Sequence, residues 1–191
     1  MHMPRRALFA LAIIPVAALF ALLIWAVTRD SSNPTGFSTI TSAGEAKVVQ
    51  PIPADFTLPL YSGGSIHLND LKGKVVMVDF WASWCDPCRQ EASEVELAWQ
   101  RYKDKGVVFI GIDTRDKSAD AQQFIQQFAP TYPIGADATA TIAVSYGVTG
   151  IPEKYFIGKD GRITKKLAGP MTVARLSPVL DQLLAAPAPT Q

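Results

Sequence analysis

Cysteine and histidine are scarce in this sequence, which has two of each among its 191 residues. A structural zinc site normally takes four Cys or His ligands, and His2 precedes a long apolar segment that leaves only His67 beside the cysteines. An iron–sulfur cluster lacks two of its thiolates. Covalent haem attachment needs a histidine directly after the second cysteine, where Arg89 stands. We therefore expect neither a metal nor a separate cofactor.

An excess of charge of one sign is also missing, because 18 Lys and Arg face 17 Asp and Glu. Nucleic-acid-binding domains usually carry a strong basic excess on one face. The composition therefore indicates no nucleic-acid partner.

A long apolar run is present near the N-terminus. Residues 7–27 contain no charged side chain and are long enough to span a bilayer. Arg5 and Arg6 precede this run, so the positive-inside rule places residues 1–6 in the cytoplasm and the rest of the chain outside, on the periplasmic side. We predict a single transmembrane anchor at residues 7–27. A cleaved signal peptide is the alternative, although its apolar core is usually shorter.

The rest of the chain divides into three parts by composition. Residues 28–50 are rich in Ser, Thr, Gly and Pro without a sustained period, and they predict a flexible linker. Residues 51–185 suffice for one domain of ordinary size. Residues 186–191 predict a disordered tail.

Hydrophobic periodicity predicts an α/β arrangement within that domain. Residues 74–81 and 107–113 form nearly continuous apolar runs, which are typical of strands buried on both faces. A helical period from Cys88 to Tyr102 lies between them and completes a strand–helix–strand unit. Further patterns predict a hairpin over residues 56–68, helices near 119–128, 139–146 and 172–184, and a second hairpin over 155–167.

The two cysteines, Cys85 and Cys88, lie between the first buried strand and the start of the helix. A disulfide between them closes too small a loop to act as an effective structural staple. The positive end of a helix favours a thiolate, and an exported compartment permits disulfides. Pro87 suits a first helical turn, where its missing N–H is harmless. This environment favours a redox-active pair.

Two segments carry a resemblance to a known family. VDFWASWCDPC resembles the active-site strand and motif of thioredoxins, and YGVTGIPEKYFIGKDGRI resembles the region that holds their cis-proline. The anchor, the extra N-terminal hairpin, Glu91 and the GIPE segment resemble the membrane-anchored TlpA/ResA/CcmG (DsbE) proteins. The resemblance implies a thioredoxin fold, with a central mixed β-sheet flanked by helices, an extra N-terminal β-hairpin and one N-terminal transmembrane helix.

The resemblance also implies how the cysteines react. Cys85, at the exposed start of the helix, attacks a substrate disulfide, and Cys88 resolves the mixed disulfide. Cys88 then needs a nearby proton acceptor. Glu91 lies on the same helical face as Cys88, and Asp79 lies within an apolar strand where an ionised carboxylate is costly. Either residue can serve as the proton relay, and each has a purely structural alternative.

The same resemblance predicts the surface that binds the client. Pro152 is expected to have a cis peptide bond that exposes the backbone of Ile151 to an extended substrate. Trp84 is expected to form an apolar rim. The predicted substrate-binding residues are Trp84, Asp86, Pro87, Ile151 and Glu153, of which Glu153 has a solvated charge as its alternative.

The direction of reaction follows from charge. Asp86, Glu91 and Asp79 place negative charge near the cysteines and oppose the thiolate, which favours a reductant. By resemblance, the expected client is apocytochrome c, with its CxxCH thiols kept reduced during cytochrome c maturation. The expected electron donor is a membrane thiol transporter of the CcdA/DsbD type.

Three alternatives remain beside this function. One is a general or copper-site-directed disulfide reductase. Another is a Cu(I)-binding protein that uses both cysteines, which nearby methionines would favour, although Met77 lies too far inside its strand. A peroxidase is disfavoured because Ala82 occupies the position where peroxiredoxins have a threonine.

Overall fold

The computed structural model describes residues 20–22, 25, 45–46, 48 and 51–187. Residues 20–22 and 25 are helical, and the rest of the predicted anchor at residues 7–27 lies outside the described residues. Among the residues described, no helix has both the length and the apolar composition that crossing a membrane requires. Residues 188–191 of the predicted tail also lie outside this range.

The described chain alternates strands and helices. Its strands are β1 Glu45–Ala46, β2 Thr57–Pro59, β3 Ser65–His67, β4 Val75–Trp81, β5 Val107–Thr114, β6 Ile134–Asp137, β7 Glu153–Ile157 and β8 Ile163–Ala168. Its α-helices are α1 Asp86–Tyr102, α2 Ser118–Phe128, α3 Thr141–Ser145 and α4 Val173–Ala185, with short 3₁₀ turns at Leu68–Leu71 and Lys103–Lys105.

Six of these strands form one mixed sheet in the order β1-β8-β7-β4-β5-β6. Strand β4 pairs in parallel with β5 and antiparallel with β7, and β5 pairs in parallel with β6. Strands β2 and β3 form the separate N-terminal hairpin, which joins the edge of β6 through the Leu60–Gly135 bridge. This is the thioredoxin arrangement with the extra hairpin that the resemblance implies.

Each face of the sheet is covered by its own apolar cluster, because successive strand residues point to opposite faces. Residues of α1, α2 and α4 pack on the face that contains Met77 and Phe109. The hairpin and α3 pack on the opposite face, which contains Val78 and Ile110. Every residue of β4 is buried, including Asp79. The helix that carries the cysteines therefore lies on the first face, directly above Asp79 and its neighbours in β4.

Most of the predicted linker at residues 28–50 lies outside the described residues, but its Glu45–Ala46 segment is described and is not a linker. Glu45 and Ala46 form strand β1 and pair with Leu167 and Lys166 at the edge of the sheet. The Glu45 carboxylate also accepts a hydrogen bond from Lys165 Nζ at 2.5 Å. A strand of two residues is stabilised by its neighbour rather than by a periodic pattern of its own, so composition alone does not reveal it.

Candidate active site

The two cysteines lie at the N-terminus of α1 and are joined by a disulfide with a Cα–Cα distance of 5.2 Å. Cys85 caps the helix, and its Sγ accepts a hydrogen bond from the backbone N–H of Cys88 at 3.2 Å. Pro87 lies within the first turn, as predicted, and Asp86 places a negative charge beside it. The sulfur of Cys85 therefore lies at the positive end of the helix dipole, where this position and the hydrogen bond from the Cys88 N–H favour a thiolate.

Cys85 is less exposed than the sequence predicts. Its exposed fraction is 4%, against 2% for Cys88. Both side chains belong to the apolar cluster that includes Trp81 and Ala82, against which Ile151 packs. Both cysteines are therefore buried in the disulfide form, and the predicted exposure of Cys85 is not found. A client must approach Cys85 through the surface around its neighbours.

Arg115 and Asp116, which directly follow β5, bind the loop before Cys85 through hydrogen bonds. Asp116 accepts hydrogen bonds from the backbone N–H of Ser83 at 2.5 Å and from its hydroxyl at 3.0 Å. Trp84 Nε1 donates to the carbonyl of Arg115 at 3.2 Å. Arg89 Nη1 reaches the carbonyl of Ser83 at 3.4 Å. These bonds fix the backbone that positions Cys85.

Two predicted proton-relay residues meet beneath the helix, and a third residue joins them. Asp79 on β4 and Glu91 on α1 are each 3% exposed, and both contact Lys154 on β7, which is fully buried. Lys154 Nζ donates to Asp79 Oδ1 at 2.8 Å and to Glu91 Oε1. Glu91 Oε2 accepts from the backbone N–H of Met171 at 2.6 Å. The sequence analysis did not identify Lys154.

Burial and charge act in opposite directions in this cluster. The pKa of Glu91 is raised to about 7 by the sum of these effects: burial raises it most, the positive charge of Lys154 lowers it, and the negative charge of Asp79 raises it. Burial alone would lower the pKa of Lys154, but the charges and hydrogen bonds of its two acidic partners outweigh burial and raise it. Glu91 can therefore exchange a proton near neutral pH, one turn from Cys88.

The Ile151–Pro152 peptide bond is cis, as the resemblance implies. Ile151 is half-buried and lines a groove of about 310 Å³ together with Trp84, Arg115, Val144 and others. Trp84 is 60% exposed and Val144 is 66% exposed. Within residues 51–187, the backbone groups of Ile151 make no backbone hydrogen bond. The groove thus combines apolar side chains with a peptide group that is free to pair.

The other predicted substrate-binding residues differ in placement. Asp86 and Pro87 are exposed beside Cys85. Glu153 is only 3% exposed, which contradicts both a solvated charge and a direct contact with a client. Its carboxylate lies 2.8 Å from Lys166 Nζ and accepts hydrogen bonds from Thr149 at 3.0 Å and Tyr155 at 3.1 Å. Strand alternation turns Glu153 away from the face of Lys154, so its role is to stabilise the start of β7.

Asp113 is a buried acid near the active-site loop that the sequence did not predict. Asp113 is the last residue but one of β5, and its Oδ2 accepts a hydrogen bond from the Tyr61 hydroxyl at 2.6 Å. The pKa of Asp113 is raised to about 7 in total, because burial and the neighbouring Asp116 raise it by more than the Tyr61 hydrogen bond lowers it. Asp116 is the residue that holds Ser83, so this acid lies one contact from the active-site loop. Its position after an apolar run was visible in the sequence, but its partners come from distant segments.

The described residues contain no group of three or more His, Cys, Asp or Glu side chains placed to hold a metal ion. The two sulfurs are bonded to each other. The paired sulfurs at a helix N-terminus support exchange between the Cys85–Cys88 disulfide and another thiol or disulfide, and the buried carboxylate of Glu91 lies one turn from Cys88.

Comparison with known proteins agrees with this chemistry. The AhpC/TSA family matches residues 48–166. The thiol-disulfide oxidoreductase ResA of Bacillus cereus strain ZK is 32% identical over 165 residues, which cover 86% of this chain and 95% of the relative. ResA of Bacillus subtilis is 28% identical over 118 residues, with 62% of this chain and 66% of the relative covered.

Solved structures give the same result. A Chlorobium tepidum protein described as a thiol:disulfide interchange protein DsbE is 29% identical, with a TM-score of 0.67, and the match covers 73% of this chain and all of that one. A secreted Mycobacterium tuberculosis disulfide oxidoreductase homologous to DsbE is 28% identical, with a TM-score of 0.62, over 67% of this chain and 96% of that one. The chain belongs to the AhpC/TSA family and is a thioredoxin-like thiol-disulfide oxidoreductase of the ResA and DsbE type.

Proposed function

We propose that this oxidoreductase is a membrane-tethered reductant of disulfides in exported proteins, and that apocytochrome c is its client. The observation that carries this proposal is the Cys85–Cys88 pair at a helix N-terminus with the buried carboxylate of Glu91 one turn behind it. The relatives named ResA and DsbE support the same class of reaction. The choice of client rests on the resemblance to proteins that reduce the disulfide of CxxCH motifs and so keep their thiols available.

The proposed reaction starts from the reduced pair. The Cys85 thiolate attacks one sulfur of the client disulfide, and the other client sulfur leaves as a thiolate that takes up a proton. Cys88 loses its proton to Glu91, attacks the Cys85 sulfur and releases the second client thiol. The client gains two electrons, and the cysteine pair is oxidised to the disulfide seen here. A membrane thiol transporter of the CcdA/DsbD type supplies the electrons that reduce it again.

The groove beside the disulfide is proposed to hold the client backbone. Ile151 offers an unpaired peptide group, so an extended segment can add to it as a short strand. Trp84 and Val144 supply exposed apolar surface on either side. The occupant is therefore the client segment that carries the cysteine, with its neighbouring side chain in the groove.

Trapping of the mixed disulfide tests the proposal. A Cys88→Ala variant of the full chain cannot resolve its intermediate, so it should accumulate bound to its client through Cys85. A Cys85→Ala variant is the matched control and should capture nothing. Recovery of apocytochrome c supports cytochrome c maturation, whereas recovery of proteins without CxxCH motifs supports a general or copper-site reductase. If the Cys85→Ala variant stays active and Cys88→Ala captures no partner, the proposed roles are wrong.

A further inference from the structure

Lys154 is the most enclosed charged side chain near the disulfide. Its exposed fraction is 0%, and its ammonium group contacts the carboxylates of Asp79 and Glu91. It lies on β7, two residues after Pro152, and is the direct pairing partner of Asp79 on β4. A single side chain thus connects the strand of the cis-proline to the helix of the cysteines.

The three groups carry one more negative than positive charge when all are ionised. Because they are buried, the cluster binds one proton more readily than an exposed carboxylate does. Both oxygens of Glu91 are already engaged, one by Lys154 and the other by the N–H of Met171 at 2.6 Å. These donors favour the ionised form of Glu91 against the cost of burial.

Two other titratable groups among the described residues lie near the cluster of Asp79, Glu91 and Lys154, namely Tyr132 and Glu94. Tyr132, on the segment before β6, is 8% exposed, and burial, followed by the charges of Asp79 and Glu91, raises its pKa well above the ordinary value. Glu94, one turn further along α1, is engaged by the backbone N–H of Val173 at 2.8 Å. Neither group can supply the positive charge that Lys154 provides.

We infer that Lys154 is a positioning residue for the resolving step, because its positive charge keeps Glu91 in the ionised form that can accept the proton of Cys88. The negative charge of Asp79 acts in the opposite direction and favours protonation of Glu91. This inference rests on the proposed function. In the step itself, the Cys88 thiol gives its proton to the Glu91 carboxylate, and the resulting thiolate forms the bond to Cys85. The bond between Cys85 and the client breaks, and the client sulfur leaves with the electron pair.

Lys154 and Asp79 are therefore expected to shift the pH at which Glu91 accepts a proton in opposite directions. In a Lys154→Met variant the cation is lost, so the pH at which Glu91 accepts a proton should rise. In an Asp79→Asn variant the opposing anion is lost while a side-chain oxygen remains for Lys154, so that pH should fall. An opposite charge at this distance moves a titration by about one to three pH units.

Stopped-flow reaction of the reduced full chain with 5,5′-dithiobis(2-nitrobenzoate) separates the two steps. The first thionitrobenzoate is released when Cys85 attacks, and the second when Cys88 resolves. We expect the pH midpoint of the second phase to rise by at least about one unit in Lys154→Met and to fall in Asp79→Asn. Glu94→Gln is the control and should leave the midpoint unchanged. Carbon-13 NMR of the Glu91 carboxyl should report the same shifts directly.

The outcomes separate this inference from the proposed function. If Lys154→Met does not fold, Lys154→Gln takes its place, because glutamine keeps a hydrogen-bond donor for the carboxylates without the charge, and its midpoint should also rise. Unchanged midpoints, or shifts in the same direction in both variants, overturn the role of Lys154 while leaving the redox function intact. Absence of the first phase in the unmodified protein overturns the proposed function itself.

Discussion

Lys154 Nζ lies 2.8 Å from Asp79 Oδ1, and the two residues also face each other in the antiparallel pairing of β7 with β4. The backbone hydrogen bonds of the sheet therefore fix the distance between their side chains. Glu91 approaches the same ammonium group from α1. The sheet and the catalytic helix are joined at this point by charge as well as by apolar packing.

Loss of the Lys154 charge should destabilise the protein strongly. Lys154→Met leaves two buried carboxylates without a cation, and breaking a buried ion pair in this way costs about 3–5 kcal/mol. Urea unfolding of the oxidised protein measures the change in the free energy of unfolding.

The matched control removes all three charges together. A variant with Asp79→Asn, Glu91→Gln and Lys154→Met has no ionised group left in the cluster, so it should be more stable than Lys154→Met alone. If the free energy of unfolding of Lys154→Met lies within about 1 kcal/mol of that of the unmodified protein, the ion pairs contribute little to stability.

The place of Lys154 could not be read from the sequence for a physical reason. The apolar run that predicts β7 begins at Tyr155, but the strand begins at Glu153. A lysine is normally exposed, and only partners from β4 and α1 make its burial tolerable. Those partners lie 75 and 63 residues away along the chain, so no local pattern contains them.

Local sequence patterns predicted the elements whose structure depends mainly on residues close to them along the chain. The cysteine pair with Pro87 predicts the helix start, and the buried runs predict β4 and β5. The short strands β1 and β6 were not predicted, because they are stabilised by pairing with other strands and have no periodic pattern of their own. Strand β6 has only the residues Ile134–Asp137, with two small residues in its centre, and β1 has only Glu45–Ala46.

Stability should fall as the pH rises from acid to neutral. Folding raises the pKa of Glu91 from 4.5 to about 7 and that of Asp113 from 3.8 to about 7, mainly through burial. In this window the folded state retains protons that the unfolded state has released, so rising pH favours unfolding. The stabilisation is present below about pH 4 and is lost as the pH passes 7.

Glu91→Gln and Asp113→Asn each remove one of these acids. Unfolding of the oxidised variants across the same range should show a flatter dependence on pH, with each group accounting for at most about 3–4 kcal/mol. Hydrogen bonds to Asp70 and Asp55 also raise the pKa of His67, so His67→Gln is the control that separates the contribution of this histidine. An equally steep fall in both acid variants would contradict this assignment.

The groove beside Cys85 should matter for protein clients and not for small disulfides. Val144→Asp places a charge in the apolar lining, and we expect kcat/KM for reduction of a protein disulfide to fall about tenfold or more. Leu97→Asp is the matched control, because Leu97 is 58% exposed on α1 and does not line the groove. Reaction with 5,5′-dithiobis(2-nitrobenzoate) should be unchanged in both variants. An equal loss of kcat/KM in the two variants would show that the groove does not bind the client.

The reduction potential tests the direction of electron flow. Oxidants of this fold stabilise the reduced form, in which the nucleophilic cysteine is a thiolate, whereas Asp86 and the buried carboxylates place negative charge near this sulfur. We expect a potential nearer the roughly −270 mV of thioredoxin than the roughly −120 mV of a strong oxidant. Equilibration with glutathione buffers measures it, and Asp86→Asn should make the potential less negative because it removes a charge that opposes the thiolate. A value above about −170 mV in the unmodified protein would exclude the reductant role.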